Sequence, residues 1–186
     1  QGVKFHSGRA FTAKDVKYTF EELMRPGNKA GLGADYLDKV EGVAAFQDGS
    51  ATEISGVKVI DDHTVEVRFT ETTVLFPIFP FQFMDSGIVG ELGPEWYLKA
   101  SAGTGPFKFM EWNRGQIVKL AANPDYWGGA PKIDGVNFLV VPSSDTAISM
   151  YEANEIDLVC ADPPGVRRIL KDPQFEGQML DAPAAQ

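Results

Sequence analysis

Gly103-Thr104-Gly105-Pro106-Phe107-Lys108-Phe109, followed by Trp112, Asn113-Arg114-Gly115 and Ile117-Val118-Lys119-Leu120, is the stretch on which the fold turns. Gly103 and Gly105 flank Thr104 and permit positive φ, and Pro106 fixes the backbone at the mouth of a strand. Phe107 to Phe109 and Ile117 to Leu120 are rich in strand formers, and Asn-Arg-Gly between them supplies a tight reversal, so the spacing predicts a β-hairpin. A Gly-Thr-Gly could also open a phosphate loop, but no Lys-Ser or Lys-Thr follows at the head of a helix. The glycines therefore read as scaffold.

Upstream lies a second hairpin. Val57, Val59, Val65, Val67 and Phe69 alternate with Lys58, Thr64, Glu66 and Arg68, with Asp61-Asp62-His63 at the reversal. Two carboxylates and an imidazole together invite an acid-base reading. Consecutive residues diverge, however, and Asp favours turns, so this reads as a solvated turn. Nearer the start, a short strand around Val3 to Phe5 leads through Ser7-Gly8-Arg9 to Thr12. There Thr12 and Asp15 have capping-box spacing, and Val16, Phe20, Leu23 and Met24 line one helical face until Arg25-Pro26-Gly27. Residues 27 to 34 read as a loop, and Asp35 to about Phe46 as a second amphipathic helix.

Between the hairpins, Leu75-Phe76-Pro77-Ile78-Phe79-Pro80-Phe81-Gln82-Phe83 holds four phenylalanines and two prolines. The prolines preclude a regular interior strand or a long helix across them, leaving a buried apolar loop or a binding surface. Downstream, Val136 to Val141 reads as a buried strand, Ser143-Ser144-Asp145 as the cap of a helix reaching about Ala153, and Ile156 to Val159 as another strand. The three imply a β-α-β unit.

Composition removes several classes of function. The chain has 186 residues, 44% of them hydrophobic, and 26 acids against 17 bases give a net charge of -9. That field disfavours phosphate backbones, so no nucleic-acid partner is expected. No stretch approaches the ~20 apolar residues of a membrane helix. Two histidines and one cysteine cannot make a typical zinc site, so no metal and no cofactor are expected. Cys160 has no histidine nearby in sequence and reads as a buried thiol; no catalytic residue emerges. Trp96, Tyr97, Trp112, Tyr126 and Trp127 read as core anchors rather than as a stacking platform.

Three ordered stretches resemble the family 5 solute-binding proteins, which include dipeptide, oligopeptide and nickel-binding members. They are Val3-Lys4-Phe5-His6-Ser7-Gly8-Arg9-Ala10-Phe11-Thr12-Ala13-Lys14-Asp15-Val16; Gly103 to Phe109 with Trp112 and Asn123-Pro124-Asp125-Tyr126-Trp127-Gly128-Gly129-Ala130-Pro131-Lys132-Ile133-Asp134; and Glu152-Ala153-Asn154-Glu155-Ile156-Asp157. The resemblance implies an α/β, periplasmic-binding-protein type II-like fold. It would be present in part, as a first-lobe fragment with a mixed sheet, two β-hairpins and flanking helices. On that pattern residues 1–99 form the smaller subdomain of the first lobe, 100–160 part of its larger domain, and 161–186 the start of the crossover to a second lobe. Both ends read as cut from a longer chain.

The resemblance also implies a function: the substrate-binding component of an ABC importer, periplasmic or on the outer face of the cell membrane. It would be a monomer that captures a di- or oligopeptide for a membrane permease, and not an enzyme. Nickel chelate, haem, an oligosaccharide or an opine are alternative solutes, and a peptide-sensing or chaperone-like role an alternative use. Two segments stand where relatives contact ligand. Gly33-Ala34-Asp35-Tyr36 offers an aromatic face with a hydroxyl rim, and Phe81-Gln82-Phe83-Met84 a lone amide among phenylalanines, able to donate to and accept from a peptide group. Each also has a plainer reading. Tyr36 could pack on its own helix, and Phe81 and Phe83 could be core with Gln82 serving nearby backbone.

Overall fold

The computed structural model describes residues 2–28, 35–74, 76 and 80–179. Gly33 and Ala34 of the first candidate ligand segment lie outside the described residues, as do Leu75, Pro77, Ile78 and Phe79, whereas Phe81 to Met84 are all described. The chain divides into two compact units, Gln1–Asn113 with Val118–Phe138, and Arg114–Ile117 with Leu139–Gln186.

In the first unit, α1 runs Ala13–Met24 and starts where the sequence predicts. The Asp15 carboxylate reaches back to the Thr12 amide at 3.0 Å and closes the capping box. Arg25 is the C-cap, and Gly27 at φ 80° turns the chain away. The hairpin forms from β1 (Val57–Asp61) and β2 (Thr64–Val67), with Val57 opposite Val67 and Val59 opposite Val65. A bulge between Val59 and Asp61 turns Ile60 out, leaving it 60% exposed. Asp61 closes the turn by accepting from the His63 amide at 2.7 Å.

The core of this unit joins Phe20 and Met24 of α1, Leu37, Val40, Val43, Phe46, Ile54 and Val57, with Phe76, Phe81 and Phe83 packed against it. The long helix expected from Asp35 to Phe46 is not formed. Residues 36–39 turn, Val40 bridges to Phe69, and only α2 (Val43–Gln47) is helical beyond them. Gly42, in the left-handed region at φ 85°, interrupts the path, so Leu37, Val40 and Val43 reach the core from a turn rather than along one helical face. The strand expected at Val3 to Phe5 is likewise reduced to a bridge between Lys4 and Ala10.

Further along come α3 (Ser86–Leu92), a 3₁₀ segment Gly93–Leu98, and strands β3 (Phe107–Asn113), β4 (Ile117–Ala122) and β5 (Gly135–Leu139) in the order β3-β4-β5. β3 and β4 are the predicted hairpin. The Ala122 amide donates to the Asp134 carbonyl and the Val140 amide to the Gln116 carbonyl, each at 2.8 Å, so β5 runs antiparallel to β4. The mixed sheet of the expected architecture is represented among the described residues by this antiparallel part alone. β5 is not the buried strand expected: Phe138 is 57% and Leu139 42% exposed. Trp112 and Trp127, read as core anchors, are 40% and 62% exposed. Tyr126 and Trp127 nevertheless pack together at 5.1 Å, and the Tyr126 ring occupies the space a Cβ on Gly128 would need.

In the second unit, α4 (Ser144–Glu152) begins at the predicted cap, where Ser143 accepts from the Thr146 amide, and α5 spans Pro163–Ile169. Ile148, Ile169 and Phe175 form its small core. Residues 156–159 are not a strand, so the expected β-α-β unit is absent among the described residues. A strand needs a partner ladder, and this segment has none; Leu158 is 70% exposed and Cys160 is exposed rather than buried.

Candidate functional site

The segment 81–84 is built as an alternation. Phe81 packs on Phe20 at 5.0 Å and on Phe76 at 5.3 Å; Phe83 packs on Phe11 at 5.5 Å and on Phe20 at 6.2 Å. Gln82, between two inward rings, is exposed. With the rings on either side held against the core, the amide between them is left to solvent. Both phenylalanines remain half-buried and keep ring surface outside the core. Asp35 is exposed and Tyr36 half-buried beside Leu37, a member of the cluster on which Phe81 and Phe83 lean. The chain next to Tyr36 and the rings of segment 81–84 thus meet the same cluster.

Beneath segment 81–84 lies a charged network that the sequence did not disclose. Asp15 on α1 and Asp85 at the cap of α3 are 0% and 1% exposed, and Arg9 pairs with both. Arg9 Nε donates to Asp85 Oδ1 at 2.7 Å, and both terminal guanidinium nitrogens donate to Asp15. The Ser7 hydroxyl donates to Asp85 Oδ2 at 2.5 Å, the Gly87 amide to Asp85 Oδ1 at 2.9 Å, and the Ser86 hydroxyl to Asp15 Oδ1 at 2.9 Å. Arg9 also lies over the Phe5 ring, 4.9 Å from its centroid.

Burial alone would push both carboxyls up. For Asp15, the hydrogen bonds from Arg9, the Thr12 amide and Ser86 outweigh it and hold the group below the usual carboxylate range. For Asp85, Ser7, Arg9 and the Gly87 amide do the same. Arg9 is raised, first by its hydrogen bond to Asp15 and then, against the cost of burial, by Asp85. A network this fully paired offers no open position for a reacting atom and serves as a structural clamp.

A second node lies at the glycine motif. His6 Nε2 approaches the Gly105 carbonyl at 2.9 Å, and a carbonyl only accepts, so Nε2 carries the proton and Nδ1 accepts from Ser101 Oγ at 2.6 Å. The buried Asn123 donates its amide to the same Gly105 carbonyl at 3.1 Å, and the Asn123 backbone N–H donates to the Pro106 carbonyl at 2.8 Å. Neither Gly103 nor Gly105 takes a positive φ, contrary to the sequence reading. A Cβ on Gly103 would make only an ordinary contact with the His6 ring, at 3.6 Å, so neither φ nor space demands glycine there. Thr104 is half-buried between them, Pro106 leads into β3 and Phe107 opens it.

A family model described as bacterial extracellular solute-binding proteins, family 5 Middle, matches residues 1–183. The chain belongs to this family. Oligopeptide-binding protein AppA of Bacillus subtilis (strain 168) is 32% identical over 160 residues, covering 84% of this chain and 28% of that protein. Di/tripeptide-binding protein 2 of Pseudomonas aeruginosa (strain UCBPP-PA14) is 30% identical over 209 residues, covering 100% of this chain and 38% of that protein. Among solved structures, the substrate-binding domain of an oligopeptide ABC transporter from Bacillus anthracis str. Ames superposes with a TM-score of 0.77 at 27% identity, over 92% of this chain and 35% of that one. AppA of Bacillus subtilis in complex with a nonapeptide does so with a TM-score of 0.69 at 26% identity, over 90% and 32%.

The chain thus spans 28% to 38% of the length of these two curated family 5 relatives. Its fold is the partial periplasmic-binding-protein type II-like α/β arrangement that the sequence predicts. The three-dimensional node also gives the family 5 motifs of this chain a physical link: the His6 stretch, Gly103 to Phe107 and Asn123 meet at one carbonyl. Spacing alone could not reveal that, because the partners are 99 and 18 residues apart. Arg9 and Asp85 left a fainter trace, an isolated cation and an isolated acid in apolar surroundings, without any hint that they pair.

Proposed function

We propose that this chain is part of the solute-capturing component of an ABC importer, and that its ligand is a di- or oligopeptide delivered to a membrane permease. Membership of the family carries the reading, together with the fold shared with AppA in complex with a nonapeptide. The protein works as a monomer at the periplasmic or outer face of the cell membrane. It breaks no bond: the ligand is enclosed, and the closed form is what the permease receives. Residues 1–99 are the smaller subdomain of the first lobe, 100–160 part of the larger, and the following residues the crossover to a second lobe.

In this reading the chain supplies one wall of the ligand cleft. Gln82 meets a peptide group with its amide, the half-buried Phe81 and Phe83 line the wall beside it, and Tyr36 with Asp35 forms the neighbouring surface. Affinity for peptides of varied sequence then comes from backbone contacts, with side chains in partly wet pockets.

Calorimetric titration of the intact protein with di- to pentapeptides tests this, alongside mass spectrometry of whatever copurifies. Peptide binding is the expected result. Silence toward every peptide with saturable binding of a nickel chelate, haem, an oligosaccharide or an opine would replace the ligand while keeping the transport role.

A further inference from the structure

Asp85 directly follows Phe81-Gln82-Phe83-Met84, and this junction is held at several points. The Met84 amide donates to the buried Thr19 hydroxyl on α1 at 3.0 Å, and the Asp85 amide to the Ala102 carbonyl at 2.8 Å. The Asp85 side chain caps α3 through Gly87 and takes Arg9 Nε. Arg9 in turn grips Asp15, three residues from the N-cap of α1. Among the described residues it is the one cation joined to either carboxylate.

We propose that Arg9 is a positioning residue for the ligand-facing segment 81–84, acting through Asp85. This rests on the peptide-binding reading above. The guanidinium spans two elements: its Nε side faces Asp85 and its terminal nitrogens face Asp15, so the fork fixes how the cap of α3 stands on α1. Segment 81–84 ends at that cap, and its two rings already lie on Phe20 of α1. Together with the Thr19 and Ala102 hydrogen bonds, Arg9 therefore fixes the end of the segment, and with it the direction of Gln82. Without the fork, two carboxylates excluded from solvent face each other unneutralised, and the Ser86 hydroxyl is the remaining side-chain link from α3 to Asp15. Lysine keeps the charge but not the planar fork, so it cannot hold both carboxylates in one geometry.

The test uses the intact protein as wild type, Arg9→Lys and the double variant Arg9→Gln with Asp15→Asn. Three quantities are measured: melting temperature, hydrogen exchange of the Met84 and Asp85 amides against those of the β1-β2 hairpin, and calorimetric affinity for trialanine and tetra-alanine. Arg9→Lys should remain folded, exchange about tenfold faster at Met84 and Asp85 but not in the hairpin, and bind the peptides about tenfold more weakly. The charge-balanced double variant should melt closer to wild type yet keep the fast local exchange. Wild-type exchange in that variant would show that Arg9 only neutralises Asp15, and would overturn the proposal. So would unchanged peptide affinity in Arg9→Lys, or a loss of protection spread evenly over both regions. If the wild type binds neither peptide, it is the peptide reading that fails, and the local exchange still decides whether Arg9 positions the segment.

Discussion

Gly56 shows how little freedom a single residue has in this chain. A Cβ there would stand 2.6 Å from the Glu41 carbonyl and 2.9 Å from the Arg68 carbonyl, and both contacts are backbone that cannot step aside. The approach is used: the Gly56 amide donates to Glu41 and its carbonyl accepts from Arg68, each at 2.8 Å. Gly56→Ala should therefore cost about 2 to 3 kcal/mol in denaturant unfolding, by overpacking and lost hydrogen bonds. Gly90, inside α3 with open space where its Cβ would go, makes the contrast; there Ala should stabilise by about 0.5 to 1 kcal/mol. Asp15 and Asp85 are the buried carboxylates that contribute to the acid limb of stability. Both titrate below the ordinary aspartate value when folded, so their contribution is complete above about pH 4 and drains away as pH falls through the lower folded values. Asp85→Asn should flatten the fall in melting temperature below about pH 4 while lowering the plateau above it; an unchanged acid limb would remove Asp85 from that role.

Among the elements, those with a local cause were the legible ones. The start of α1 was readable because Thr12 and Asp15 stand at capping distance, and the two hairpins because alternation and turn chemistry agree in both. Failures came where an outcome depends on what lies across space. Leu37, Val40 and Val43 have helical spacing, but Gly42 breaks the path and the same side chains reach the core through a turn. Ile156 to Val159 has strand composition but no neighbouring strand to complete its ladder. The Arg9 network joins positions 76 residues apart, and no periodicity marks such a pair. The packing of Phe76 and Phe81 depends on Phe20, far away in the chain, and no local pattern marks that contact. Phe20, 2% exposed, touches Phe76, Phe81 and Phe83, so Phe20→Ala should cost about 3 to 5 kcal/mol. Fluorescence-monitored urea unfolding reads that loss, and Phe20→Leu should recover most of it.

At the scale of the molecule, the proposed function assigns stability and recognition to different faces of the same short segment. Phe81 and Phe83 face the core of the first unit, whereas Gln82 between them touches solvent, so its side chain adds little to folding. Surface substitutions away from caps, cavities and networks shift stability by about 0.5 kcal/mol or less. An amide that meets a peptide group in a closed cleft is different. Removing it leaves the ligand group without its partner, at about 1 to 3 kcal/mol. Gln82→Ala should accordingly leave the melting temperature of the intact protein within its experimental spread and weaken peptide binding by about 5- to 100-fold, each 1.4 kcal/mol being tenfold. Gln82→Glu keeps one acceptor but loses the donors and adds a charge, and should discriminate against peptides with an acidic side chain at that contact. Titration calorimetry paired with thermal melts separates the two readings of the amide. A Gln82→Ala protein that binds as wild type while melting lower would return Gln82 to the role of serving nearby backbone, and would move the ligand wall to Asp35 and Tyr36.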